Sequence, residues 1–359
     1  MIKRKLLFFL FLLFFSFILL EIGICFLVKA GHLNIIMPTY TMGDSEDFLP
    51  ERSYIYGHRH LPNSSYTVKK NCAETVYHFN DLGFRDEMHS VRSDKSRVLL
   101  IGDSFTEGLG VNEDERFGDL LEKKSKRTHL NFGMADKGST QAFSIYKSIA
   151  SEFDHDAIIL SIFPVNDFID DDPDFGKHAE SIRPCWIGEY PNYTLEFVPK
   201  DAPANKPTSK WKHFLKRFTY TYDALYFIKE QFKISLNNDV AMPSSDYFNF
   251  TESQLNRMKY SLLKIKALAK HRPLVVVSIP SHIDLQSNIH AEHSIEGPLS
   301  KFCSENNIDY LGLYNTFNEA SSDPEEDFFL SCDSHWNAKG HQLVAETLLK
   351  KSGLYPMTD

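Results

Sequence analysis

Val98-Leu99-Leu100-Ile101-Gly102-Asp103-Ser104-Phe105-Thr106-Glu107-Gly108 is the stretch that decides the fold. Its first four residues are a continuous apolar run, as a strand buried on both faces requires. The chain then breaks at Gly102-Asp103 and presents Ser104 where a helix should begin. The same alternation recurs downstream. Short apolar runs at 129–132, 157–163, 273–279 and 308–313 predict further strands. Between and after them, residues 116–126, 139–153, 252–270, 298–306 and 337–351 read as helices. The clearest of these carries Leu255, Met258, Leu262, Ile265 and Leu268 at helical spacing. Strands alternating with helices predict an α/β fold with a mostly parallel sheet covered by helices. In such sheets reactive groups sit beyond the carboxyl ends of the strands, where Ser104 falls.

Composition narrows the class. The chain has 359 residues, with 39 Lys+Arg against 48 Asp+Glu and a formal charge of −9. Hydrophobic residues at 42% and charged residues at 24% exclude a wholly disordered chain and a multi-span membrane protein. The acidic balance argues against a nucleic-acid partner, which needs a basic footprint.

At the N-terminus, residues 6–28 are apolar apart from Glu21, with Lys3, Arg4 and Lys5 before them and Lys29 after. About 20 apolar residues span a bilayer. The basic flank places the N-terminus in the cytoplasm and residues 30–359 on the far side. A cleaved signal peptide is the competing reading, because the uncharged core is short. No Ala-x-Ala site follows it, so an uncleaved anchor over 1–29 is expected, with Glu21 at the outer interface.

Residues 30–95 read as an irregular or β-containing lead-in, and 96–356 as the main domain with a cap-like insertion at about 170–250. Within the insertion, the acidic run at 170–174 reads as a solvated loop, since it lacks the glycine and terminal Glu of a calcium-binding loop. Residues 211–232 mix basic and aromatic side chains. They read as a helix packed on its own domain, with a helix resting on a membrane surface as the alternative. Of the five cysteines, Cys25 lies in the anchor. Cys72, Cys185, Cys303 and Cys332 lie where disulfides can form, and the pairing is open.

Three short motifs carry chemistry. Ser104, at a strand end and a helix start, has backbone N–H groups beside it that can stabilise negative charge on a substrate oxygen. Asp333-Ser334-His335-Trp336, before the last helix, supplies a base and a carboxylate to orient it. Asn166, in Pro164-Val165-Asn166-Asp167 after the third buried strand, offers an amide donor to an oxyanion. Each alone also reads as a turn or a cap. Gly-x-Ser-x-Gly, a Walker A lysine motif and His-Glu-x-x-His do not occur, which argues against an α/β-hydrolase elbow, a P-loop NTPase and a zincin, and no metal or cofactor is expected.

Together, in this order, the motifs resemble those of the SGNH or GDSL-like hydrolase superfamily, over about residues 97–352 apart from the insertion. The resemblance implies a flavodoxin-like three-layer α/β/α sandwich. It implies Ser104 as nucleophile, Asn166 as oxyanion donor, and Asp333 and His335 as the rest of a triad. Residues 80–86 look like the lead-in of membrane-anchored members. Two departures stand out. A single residue separates Asp333 from His335, and this Asp-x-His-Trp form is similar to the alginate O-acetyltransferase branch. Aligning Asn131-Phe132-Gly133 on the family's second block puts Asp136 where a glycine would donate to the oxyanion, with Gly138 two residues on.

The expectation is a serine-dependent esterase or acyltransferase acting on O-acyl groups, acetyl above all, of an extracytoplasmic glycan. Transfer, by analogy, implies a membrane-embedded acyl-donor protein as partner. The alternatives are a lipid esterase or thioesterase at the membrane surface, and a non-catalytic glycan-binding scaffold.

Overall fold

The computed structural model describes residues 2–42, 48–177, 182–199, 209–236, 247–286 and 291–355. Parts of the expected insertion, at 178–181, 200–208 and 237–246, lie outside these residues.

The apolar runs form one five-stranded sheet: β1 (Arg97–Gly102), β2 (Thr128–Gly133), β3 (Ala157–Ile162), β4 (Leu274–Ser278) and β5 (Asp309–Gly312). Every pairing is parallel and the spatial order is β2-β1-β3-β4-β5. That is the flavodoxin-like order, whose switch point lies between β1 and β3. β1, β3 and β4 are buried along their whole length, which is why they carry no polar alternation.

The direction of strand addition reverses after β2, so the crossovers before and after β2 cover opposite faces. On one face α3 (Phe117–Ser125) packs against α10 (Ala338–Lys351), which follows α9 (Glu296–Glu305) and β5 in the chain. On the other, α4 (Ser139–Ser148) packs against α8 (Glu252–Ala269). Leu121 and Leu348 on one side, with Ile145 and Leu262 on the other, join Leu99, Ile159 and Val276 of the sheet in a single core. Each such side chain contributes about 1.5–3 kcal/mol on burial.

The lead-in is built of two antiparallel hairpins, Glu51–Ser53 with Gly57–Arg59 and Ser65–Lys69 with Glu74–His78. It is locked to the sheet: Tyr56 and Phe84 enter the main core, and the Phe84 ring lies 5.0 Å from that of Phe132.

α1 (Ile2–Lys29) is long and apolar enough to cross a membrane, and little of it is buried in the protein. Glu21 has a partner helix: it accepts the Tyr220 N–H at 2.8 Å and the Thr221 N–H at 2.9 Å, capping helix α7 (Tyr220–Leu236). Two orphan N–H groups at a helix N-terminus are a favourable partner for a carboxylate. α7 corrects an expectation. It packs on α1 through Tyr220 and Ala224, in a small cluster with Val28, Ile35 and Met37, not on the sheet. α6 (Lys210–Phe218), before it, does dock on the domain: Arg217 donates to the Thr67 carbonyl at 3.1 Å and lies over the Tyr66 ring.

In the acidic run Asp174 is exposed, as a solvated loop requires, but Asp170, Asp171 and Asp172 are not. Asp170 pairs with Arg183. Asp171 accepts the Ser139 and Thr140 N–H groups, capping α4. Asp172 pairs with Arg257 at 3.0 Å. Asp170 and Asp171 are buried. Charge in sequence suggested solvent, whereas each carboxylate has a specific cation or helix end.

Candidate active site

The site forms at the carboxyl end of β1. Gly102 and Gly133 are register partners at the ends of β1 and β2. A side chain on Gly102 would meet Thr106 Oγ1 at 2.3 Å, and one on Gly133 would meet the Glu107 nitrogen at 2.6 Å. Both glycines therefore let the short helix α2 (Ser104–Glu107) sit directly on the sheet ends. Asp103 caps that helix, its carboxylate accepting the Phe105 N–H at 3.0 Å. Ser104 is thus fixed at the first helical position, beside N–H groups whose intrahelical partners do not exist.

The second half comes from the turn before α10. The Leu330 N–H donates to the His335 carbonyl at 2.9 Å, and Phe329 bridges to Trp336. Trp336 is buried against Phe105 and Phe317, and the His335 ring lies 4.9 Å from that of Phe105. Asn337 caps α10, accepting N–H groups of Lys339 and Gly340. Packing and capping together leave His335 little freedom.

The two halves meet. His335 Nε2 lies 2.8 Å from Ser104 Oγ, and His335 Nδ1 contacts Asp333 Oδ1. Asp333 Oδ1 also accepts the His335 N–H at 3.2 Å. A carboxylate only accepts, so Nδ1 carries the ring proton and Nε2 is free to take one from serine. Burial alone would raise the Asp333 carboxyl, but the His335 hydrogen bond and the charges of His335 and Lys70 hold it well below the usual carboxylate range. Asp333 is therefore an anion whenever the protein is folded near neutrality.

Two partners of this arrangement come from the lead-in. Lys70, from the second lead-in hairpin, contacts Asp333 Oδ2. Cys72, two residues on, forms a disulfide with Cys332, the residue before Asp333; their Cα atoms are 5.7 Å apart. Asn34 also donates to the Cys332 carbonyl at 2.7 Å. Cys185 and Cys303 are free and buried.

Of the expected oxyanion donors, Asn166 lies in the first turn of α5 (Pro164–Asp170), directly after β3. Its Oδ1 is buried and unpartnered among the described residues. Asp136 is exposed and holds a left-handed backbone, φ +58°. Its N–H has no acceptor among the described residues. Gly138 differs: its N–H donates to Gln141 Oε1 at 3.1 Å, in the start of α4. Beneath the site, Asp103 and Asp167 are fully buried carboxyls. Burial pushes Asp103 up to about 7, and burial plus the Asp103 charge raises Asp167 well above its ordinary value. Lys137, buried beside Asp136, is lowered by burial to about 8 and donates to the Ala135 carbonyl at 2.9 Å.

No protein-family model and no curated protein matches this chain. Among solved structures it is similar to a member of the lipolytic protein G-D-S-L family from Veillonella parvula, at 14% identity over 71% of this chain and 97% of that one, with a TM-score of 0.37. It is similar to the lipase/acylhydrolase from Enterococcus faecalis, at 9% identity over 74% and 99% of the two chains, TM-score 0.40. A two-domain esterase active on acetylated mannans is 11% identical over 73% of this chain and 52% of that one, TM-score 0.40. Likenesses of this size assign no activity to this chain.

The lead-in reaches the site a second way. His60 Nε2 lies 2.9 Å from Glu107 Oε1, both side chains fully buried, and Glu107 accepts the Ala135 N–H at 2.7 Å. Arg85, also buried, donates to the carbonyls of Gly108 and Val111. The end of α2 and the loop bearing Asp136 are thereby held by residues 60 and 85. Only tertiary structure reveals this, because isolated His and Arg residues in a polar stretch carry no pattern.

Proposed function

We propose that this chain is a serine-dependent esterase or acyltransferase of the SGNH kind, acting on O-acyl groups of an extracytoplasmic glycan through an acyl-serine intermediate. The observation that carries the reading is the continuous relay Ser104 Oγ, His335 Nε2, His335 Nδ1, Asp333 Oδ1.

In this mechanism Ser104 Oγ attacks the acyl carbonyl carbon while His335 Nε2 takes the hydroxyl proton. The carbonyl electron pair moves to oxygen, and the Ser104 N–H, the Asp136 N–H and the Asn166 amide receive the resulting oxyanion. Asp136 is chosen over Gly138 because the Gly138 N–H is already engaged by Gln141. The C–O bond to the leaving alcohol then breaks, and His335 returns the proton to that alcohol. Water or a sugar hydroxyl, deprotonated in turn by His335, attacks the acyl carbon; the bond from that carbon to Ser104 Oγ breaks, His335 returns the proton to Ser104 Oγ, and the acid or the new ester leaves. Asp333 balances the imidazolium formed at each step. The reading needs no cofactor.

The anchor reading places α1 across the membrane with its N-terminus in the cytoplasm and the catalytic domain outside. The Cys72–Cys332 disulfide supports that side, since structural disulfides persist in oxidising compartments. Transfer rather than hydrolysis would require an acyl donor supplied at the outer face, by a membrane-embedded partner protein.

The test is intact-mass analysis of the full chain in detergent after exposure to a small activated acetyl ester. A single acetyl adduct, absent in Ser104→Ala, is the expected result. Discharge accelerated by oligosaccharide marks a transferase, and discharge to water alone an esterase. An adduct that persists in Ser104→Ala overturns Ser104 as the nucleophile, and no adduct with no turnover overturns the reading in favour of a glycan-binding scaffold.

A further inference from the structure

The helix that Glu21 caps leaves a large apolar surface uncovered. In α7, Leu225 is 61% exposed, Tyr226 57% and Phe232 64%, with Phe227 and Ile228 exposed beside them. In α6, Trp211 is 67% exposed and stacks on Phe214, which stacks on Phe218. Soluble surfaces rarely gather so many large apolar side chains, and contiguous patches of this kind mark a contact with a partner or a membrane. Lys210, Lys212 and Lys229 are exposed among these residues.

Position selects the occupant. The Tyr220 and Thr221 N–H groups bond Glu21, eight residues before the end of α1 at Lys29. At the rise of an α-helix that is about 12 Å back along the anchor. α7 therefore starts on the flank of the anchor, below its outer end. With α1 crossing a bilayer about 30 Å thick in its hydrocarbon part, side chains projecting from α7 at that level meet lipid rather than water. The lysines suit the anionic headgroups above, their stems reaching past apolar neighbours. The apolar face is also continuous with α1 through the cluster of Val28, Tyr220 and Ala224.

We propose that α7, with the aromatic stripe of α6, is a second membrane-contacting element that lies in the outer interfacial layer of an anionic bilayer beside the anchor. This rests on α1 being a membrane anchor. The consequence reaches the site: α6 is fastened through Arg217 to Thr67 and Tyr66 of the hairpin that delivers Lys70 to Asp333. The catalytic domain is thereby held to the membrane at two places and cannot swivel freely about a single helix.

The experiment is fluorescence quenching by brominated phospholipids, with the full chain reconstituted in anionic phosphatidylglycerol vesicles. Trp186 and Trp336 are buried and give a constant background. Trp211 emission, taken as the difference from Trp211→Phe, should be strongly quenched. Ile228→Trp in the Trp211→Phe background should be quenched more deeply along the acyl chain. Phe15→Trp in the same background reports the anchor alone. Quenching at 15 without quenching at 211 and 228 overturns the proposal and leaves the anchor, the uncovered face then belonging to a protein partner. Absence of quenching at 15 overturns the anchor reading itself. Lys210→Glu with Lys212→Glu should weaken quenching at 211 but not at 15; unchanged quenching at 211 would remove the anionic-surface component.

Discussion

Lys70 contacts the Asp333 oxygen that His335 does not use. The carboxylate is therefore held from both sides, one oxygen by the base it orients and the other by a cation from a separate hairpin. A half-buried anion with two charged partners has one favoured orientation. Lys70→Met should let the Asp333 carboxylate rotate and misplace the imidazole. Small misplacements of this kind cost about 10²-fold. The expected signature is a fall in kcat with KM unchanged, partly rescued by Lys70→Arg, which restores the charge but not the ammonium geometry. An unchanged kcat in Lys70→Met would reduce the contact to a surface ion pair.

Replacing Ser104, the proposed nucleophile, gives the sharpest result. The Ser104 hydroxyl is held by His335 alone among the described residues, so Ser104→Ala should fold normally. Turnover of an acetyl ester should fall by about 10⁴-fold or more. The double variant Ser104→Ala/His335→Ala should be no worse than either single variant, since the two act as a unit. Additive losses would mean that the residues act in separate steps.

The Cys72–Cys332 disulfide joins residues 260 apart and ends beside Asp333. Replacing both cysteines with serine should lower stability by about 2–5 kcal/mol. It should also lower kcat at temperatures where the protein remains folded, because it loosens the hairpin that carries Lys70. Melting curves and kcat at a fixed low temperature separate the two effects. A stability loss with intact kcat would confine the bridge to the fold.

Much of this architecture was legible because local pattern and global fold agree. The runs at 98–101, 157–162 and 274–278 are apolar on both faces, and only a covered parallel sheet buries them. Ser104, Asp333 and His335 could be read because each sits at a strand end or a helix start. Lys70, His60 and Arg85 could not, since nothing local distinguishes a lysine at a hairpin turn from a solvated one. Glu21 shows the limit from the other side. The sequence marked it as anomalous in an apolar helix, but its partners are backbone N–H groups 199 and 200 residues away. Asp170 and Asp171 misled for the same reason, their partners being a distant arginine and a helix end.

Two opposing pH dependences are built into the fold. His341 is fully buried, accepts the Phe117 N–H at 3.3 Å, and is lowered to about 3, first by burial and then by the charges of Arg85, Arg116 and His335. His129 is likewise lowered by burial to about 4. Below about 6.5 the unfolded chain takes up protons that the folded chain refuses. Stability from these groups is full above pH 6.5 and is lost as pH falls toward 4. Asp103 has the reverse sign. Burial raises it to about 7, so the folded chain keeps a proton that the unfolded chain has already lost, and stability declines as pH rises from about 4 to 7. Asp103→Asn keeps the oxygen that caps α2 and removes the titration. Its melting temperature should exceed that of the wild type at pH 8 and match it near pH 4. His341→Gln should flatten the acid side, by roughly 3 kcal/mol between pH 6.5 and 4. Melts at half-unit pH intervals check both. Parallel curves for wild type and Asp103→Asn across pH 4–8 would show that Asp103 stays ionised in the fold, its charge met by a partner that burial alone does not supply.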